Sequence, residues 1–231
     1  MGGQKTRVYL VRHGSTAAAK EDRFSGSTDA LLADDGIEQA KLLGERLKDD
    51  VITAVYASPM KRTIKTAELI TTHHKLEIKL APGLKEIDHG SWEGKTRQEV
   101  EEQNQAEFDA WDSDPFTYAP PKGETGLAVL NRALPEIRRI VEENVGGTVL
   151  VVSHKATIRL LIGSFLGFDL RRYRDNLDQS PCALNVLDFT LQKSLHSRLI
   201  LYNDISHYNK NPERKEGEAR LSKIWSGLIP E

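Results

Sequence analysis

The chain has 231 residues, 39% of them hydrophobic and 29% charged, which suits one sizeable packed domain and argues against wholesale disorder. A formal net charge of -2, from 32 basic and 34 acidic residues, argues against nucleic acid or a membrane surface as partner, since such proteins are usually basic overall. The single cysteine, Cys182, leaves no internal disulfide to form, and no apolar stretch has the length of a membrane span.

Met1 to Thr6 has no apolar secretory core, so the expected location is the cytoplasm. Thr6 to Val11 is short, apolar and β-branched, which predicts a buried strand opening into a loop at Arg12-His13-Gly14. Apolar residues at Ile37, Ala40, Leu43 and Leu47 predict an amphipathic helix over Asp34 to Asp50. Ile52 to Ala57 reads as a second buried strand stopped by Ser58-Pro59, followed by a helix from Lys61 to His73 and a third strand from Leu76 to Leu80. Helical patterns return over Thr96 to Trp111 and Thr125 to Glu143. Thr148 to Val152 is the strongest strand and ends at Ser153-His154; a helix from Ala156 to Leu166 and strands at Ala183 to Phe189 and Arg198 to Tyr202 complete the pattern. Strands alternating with helices predict a mostly parallel sheet covered on both faces. The charged tail beyond Ser206, with Ile224, Trp225 and Leu228, reads as a mobile extension or a docking arm.

The chemistry gathers at strand ends. In open α/β sheets, ligands bind beyond the carboxyl ends of the strands. Two of the most apolar strands end alike, Val11 before Arg12-His13 and Val152 before Ser153-His154, so two imidazoles are expected to meet across one cleft. A third strand leads to Arg62 in the first turn of a helix, where backbone N–H groups favour anions. The planar fork of arginine pairs bidentately with phosphate oxygens, so the expected ligand is a phosphoryl group. The loop Gly83 to Trp92 offers Glu86 and Asp88 as candidate general acids, because a carboxyl group beside a bound phosphate can protonate a leaving oxygen. There is no phosphate-loop motif, no H-E-x-x-H and no clustered metal ligands, so neither cofactor nor metal is expected.

L-V-R-H-G-S at 10–15, S-P-M-K-R-T at 58–63, the acid loop at Glu86 and V-V-S-H at 151–154 resemble the histidine phosphatase superfamily, in its phosphoglycerate-mutase-like branch. R-F-S-G at 23–26 and L-x-x-D-G-x-x-Q-A also fit that branch. The resemblance spans about Thr6 to His207 and implies a three-layer α/β sandwich with a mostly parallel central sheet flanked by helices, plus a small helical cap insertion at about 92–122. The expected organisation is one such domain over 1–207 and a charged C-terminal extension over 208–231. The resemblance further implies that His13 becomes a phosphohistidine while Glu86 acts as acid and then base, with Arg12, Arg62 and His154 on the phosphoryl oxygens. Ser15, Ser25, Gly26 and Lys155 are the further phosphate or substrate contacts expected.

Departures point to hydrolysis of a small phosphorylated metabolite. Mutases of the branch place Arg after the acid, Tyr before the next Gly and Gly-Asn after the second His; here those places hold Ile87, His89 and Lys155-Ala156. Two further departures concern the phosphatase reading itself. Ala19 stands where an Asn phosphate donor is often found, and Lys155 replaces a small residue. A phosphoglycerate mutase, a phosphoprotein phosphatase and a phospho-ligand-binding protein are the alternatives, and a homodimer is left open. Aromatic residues of the insert (Trp92, Phe108, Trp111, Phe116, Tyr118) read as a local hydrophobic cluster, and Arg171, Arg172 and Arg174 as a solvated helix end.

Overall fold

The computed structural model describes residues 4–17, 23–191 and 194–209. Ala19 and the tail residues Ile224, Trp225 and Leu228 lie outside them. In chain order the elements are β1 (Lys5–Arg12), α1 (Asp34–Leu47), β2 (Ala54–Ala57), α2 (Lys61–Ile70) and β3 (Ile78–Leu80), then the insert helices α3 (Arg97–Gln103) and α4 (Gln105–Ser113). There follow α5 (Gly126–Glu143), β4 (Thr148–Ser153), α6 (Lys155–Leu166), α7 (Tyr173–Asn176), β5 (Leu184–Leu191) and β6 (Leu195–Asp204).

The six strands form one sheet in the order β3-β2-β4-β1-β5-β6. The first four are parallel, and β5 and β6 join antiparallel at one side. The central strands are apolar on both faces because both faces are covered, and the two-residue period of a strand sorts their side chains. Val8, Leu10, Tyr56, Val149 and Val151 pack on one side with Ile137 and Ile140 of α5 and Ile158 and Leu161 of α6. Val11, Val55, Ala57, Leu150 and Val152 pack on the other with Ala40, Leu43 and Leu47 of α1 and Ala67 and Ile70 of α2. These are the three layers.

A third cluster lies in the insert, where Trp92, Val100, Phe108 and Trp111 surround Phe24. The expected aromatic cluster is therefore present for three of its members. Phe116 instead packs against the main core, and Tyr118 is 55% exposed. The insert helix expected over Thr96 to Trp111 is two helices, because Asn104 leaves helical geometry and its side chain accepts from Glu107 N–H to cap the second. Strand β6 is longer than expected: as an edge strand it alternates half-buried and exposed residues, a pattern that Ile200 on the exposed side obscures.

The loop after β1 is pressed against the start of α1 at two glycines. A Cβ on Gly14 would lie 2.4 Å from the Gly36 carbonyl oxygen, and one on Gly36 would lie 2.2 Å from that of Ser15. Ser15 N–H donates to the Gln39 side chain at 3.1 Å, and Ala33 N–H to Ser15 C=O at 2.9 Å. The D-G-x-x-Q pattern thus seats the segment that carries His13. Helix propensity alone would make Gly36→Ala stabilising by up to about 1 kcal/mol, whereas the backbone overlap opposes it with roughly 1–3 kcal/mol of strain. Steric cost wins, so urea unfolding is expected to show Gly36→Ala less stable than wild type. A gain in stability would contradict the close approach.

Candidate active site

The parallel register of β1 and β4 pairs Val11 with Val152 and Arg12 with Ser153, so the two chains leave the sheet side by side. His13 N–H donates to Ser153 C=O at 3.0 Å just past the last ladder pair. The rings of His13 and His154 have centroids 5.2 Å apart, and both residues are buried.

The His13 imidazole is oriented by the bond between Nδ1 and its neighbour's carbonyl, Gly14 C=O, at 2.8 Å. A carbonyl can only accept, so Nδ1 carries the proton and Nε2 keeps its lone pair. Burial first, then the charges of Arg12 and Arg62, hold this imidazole well below the usual histidine range. His154 is held down in the same way, by burial first and then by His13 and Arg62. Its Nε2 bonds Ser58 Oγ at 2.8 Å, and its Nδ1 has no protein partner. The structure thus assigns Ser58, at the end of β2, a positioning task that the sequence reading missed.

Arg12 is buried; one guanidinium nitrogen donates to Gln179 C=O at 2.6 Å, and its Nε is unpartnered. Burial lowers its guanidinium to about 10, so it remains a cation at neutral pH. Arg62 donates to Thr28 C=O at 2.7 Å and to Gly26 C=O at 2.8 Å. That 26–28 turn is in turn clamped by the Glu93 carboxylate, which accepts from Gly26 N–H, Ser27 N–H and Thr28 Oγ1 at 2.8, 3.0 and 2.8 Å. Glu93, another residue missed in the sequence, therefore holds the turn that holds Arg62.

Glu86 is half-buried, with its carboxylate over the first turn of α6. It accepts from Ala156 N–H and Thr157 N–H, both at 3.3 Å. Arg132 on α5 secures its loop, donating to Gly83, Lys85 and Glu86 carbonyls at 2.8–2.9 Å while pairing with Glu124. Arg132 carried no sequence signal, because a lone Arg on an amphipathic helix looks like any surface residue.

These groups open onto a cavity of about 520 Å³. Arg12, His13, Ser25, Glu86 and Lys155 line it, together with Thr16, Arg23, Phe24, His89, Arg97, Trp111, Arg159 and Arg174. Ser15 and Gly26 do not line it: both serve packing, Gly26 because a Cβ there would sit 1.8 Å from Ile87 C=O. Arg62 and His154 are not among the lining residues but stand next to His13. Arg174 is not a solvated helix end like its neighbours. Its guanidinium stacks 4.0 Å from the Trp111 ring centroid and donates to Asp112 C=O at 2.9 Å, whereas Arg171 pairs with Asp169 and Arg172 with Asp175 in the open. Among the described residues, no group of three or more His, Cys, Asp or Glu could hold a metal ion, and no helix is long and apolar enough to cross a membrane.

The family model for the histidine phosphatase superfamily, branch 1, matches residues 8–203. The chain belongs to that superfamily. It is 33% identical over 167 residues to phosphoserine phosphatase 1 of Hydrogenobacter thermophilus, covering 72% of this chain and 79% of the relative. It is 34% identical over 209 residues to a protein named probable phosphoglycerate mutase GpmB from Photorhabdus laumondii, covering 87% and 94%. The solved structure of Bacillus stearothermophilus YhfR superposes with a TM-score of 0.81 at 31% identity, covering 87% of this chain and 98% of that one.

The buried neutral imidazoles also affect stability. A group whose pKa is lower in the folded than in the unfolded chain contributes stability above its unfolded value near 6.5, and that contribution is lost as pH falls. Unfolding free energy is expected to decline below pH 6.5, with a limiting slope of about 1.4 kcal/mol per pH unit for each imidazole. A His13→Gln/His154→Gln variant should lose that part of the slope. An unchanged slope in the variant would contradict two neutral histidines.

Proposed function

We propose that this chain is a metal-independent phosphatase that hydrolyses small phosphomonoesters through a phosphohistidine on His13. The observation that carries this reading is the pairing of a neutral, oriented His13 with a second buried imidazole at 5.2 Å, next to Arg12 and Arg62 and in one cavity with Glu86. In the first step His13 Nε2 forms a bond to phosphorus as the ester P–O bond breaks, and Glu86 gives its proton to the departing oxygen. In the second, water attacks phosphorus, the P–N bond breaks, and Glu86 takes the proton of the water. Arg12 and Arg62 supply positive charge to the transferring group without a metal ion, and the neutral His154 beside them offers it a hydrogen bond.

The phosphatases among the relatives support hydrolysis, and the mutase-named relative keeps a second reading in view. Against it stands Ile87, which is fully buried in the core where mutases of the resembled branch place an arginine. His89 packs against Phe24 and Trp111 where those mutases place a tyrosine.

Phosphate release from a panel of phosphomonoesters, with EDTA present, tests the proposal. Wild type is expected to remain active in chelator, and His13→Ala to lose at least about a thousandfold in kcat. Rapid quenching should trap a phosphoprotein that is acid-labile, stable in base and absent from the variant. Activity abolished by EDTA, or retained in His13→Ala, would overturn the mechanism. Isomerisation of phosphoglycerates without net phosphate release would favour the mutase reading instead.

A further inference from the structure

The phosphoryl seat accounts for Arg12, His13, Arg62, Glu86 and His154, but not for the cations on the adjoining wall of the cavity. Lys155 is the first residue of α6 and Arg159 lies one turn later, at i+4, so both side chains project from one helix face. Both line the cavity beside Arg12. The ammonium of Lys155 has neither hydrogen bond nor ion pair among the described residues. Arg159 is nine-tenths buried; one guanidinium nitrogen reaches the largely exposed Asp178 at 3.2 Å, and its Nε has no partner.

Like charges at i and i+4 repel, and a third cation next to them raises the cost. Lys155 itself is exposed at the cavity wall, and desolvation there, then the charges of Arg159 and Arg12, lower its ammonium against the opposing pull of Asp178 and Glu86. Such an arrangement is unfavourable in the empty cavity and favourable once an anion lies among the three cations. A monoester phosphate held at His13 by Arg12 and Arg62 has no need of Lys155 and Arg159.

We infer that Lys155 and Arg159 form a second anion seat beside the phosphoryl seat, so that preferred substrates are phosphomonoesters carrying a second anionic group, a carboxylate or a second phosphate, a short distance from the ester. The inference rests on the phosphatase reading and adds the substrate class to it. Trp111, with Arg174 and Arg97 at 4.0 and 5.6 Å from its ring centroid, lines the same cavity.

Three probes of one carbon skeleton test it: glycerol 3-phosphate, whose remainder is neutral, 3-phosphoglycerate, which adds a carboxylate, and glycerol 1,3-bisphosphate, which adds a phosphate. Phosphate release by wild type should show kcat/KM for one or both probes with the second anionic group at least about tenfold above that for glycerol 3-phosphate, the worth of one charge-assisted contact. Which of the two leads identifies the second group. Lys155→Met should bring the ratio down toward unity, and Lys155→Arg should retain it. A pH profile separates charge from mere structure, since kcat/KM reports the free enzyme. As alkaline pH removes the charge of the wild-type amine the wild-type ratio should fall, while that of Lys155→Arg stays level.

A wild type that hydrolyses all three probes at similar kcat/KM would overturn the second seat and leave the phosphatase reading standing. So would a ratio that Lys155→Met leaves unchanged. A wild type that releases phosphate from none of these probes, nor from any other phosphomonoester, fails the phosphatase reading and this inference with it.

Discussion

The site depends on one backbone constraint, the parallel pairing of β1 with β4. Because Arg12 lies opposite Ser153 in that ladder, the next residue of each chain is a histidine at the same height, and His13 N–H closes onto Ser153 C=O. A slip of one residue would turn every side chain of the strand to the opposite face and separate the two rings. The apolar interior thus does chemical work at a distance: the packing of Val11 and Val152 on one face, and Val151 on the other, specifies where two imidazoles stand.

Around that pair, each charged group is held by a neighbour that does not touch the reacting centre. Glu93 organises the 26–28 turn that accepts from Arg62, Arg132 secures the carbonyls around Glu86, and Ser58 fixes the His154 ring. Such support keeps first-rank groups in productive geometry without reorganisation during the reaction. It also explains how buried histidines stay neutral: the arginines that attract a phosphoryl group are the same charges that, after burial, disfavour imidazolium. Anion affinity and a free nucleophilic nitrogen have a common electrostatic origin.

The sheet and the main site were legible in the sequence because both rest on local signals. β-branched runs ending in Arg-His or Ser-His mark strand ends, and strand ends in α/β proteins gather at one edge. The supporting residues were not legible, since Glu93, Arg132 and Ser58 act through backbone groups far away in the chain. Ser15 and Gly26 are not among the residues lining the cavity, for a related reason. Their motif signal is genuine, but it reflects close backbone approach of Gly14 to Gly36 and of Gly26 to Ile87 rather than contact with the cavity. Arg174 looked like its solvated neighbours because nothing in the sequence shows that Trp111 folds over it. Arg159 drew no notice in the sequence, because only the structure shows that its face of α6, shared with Lys155, borders Arg12.

The fold delivers His13 as a neutral imidazole with Nδ1 protonated and Nε2 free. Nitrogen-15 NMR of the histidine side chains, with the His13 signals assigned by their loss in His13→Ala, tests it without relying on turnover. The expected spectrum at pH 7 shows His13 as the Nδ1–H tautomer and, after reaction with a phosphoryl donor, phosphorus on Nε2. An imidazolium at pH 7, or the Nε2–H tautomer, would contradict the account.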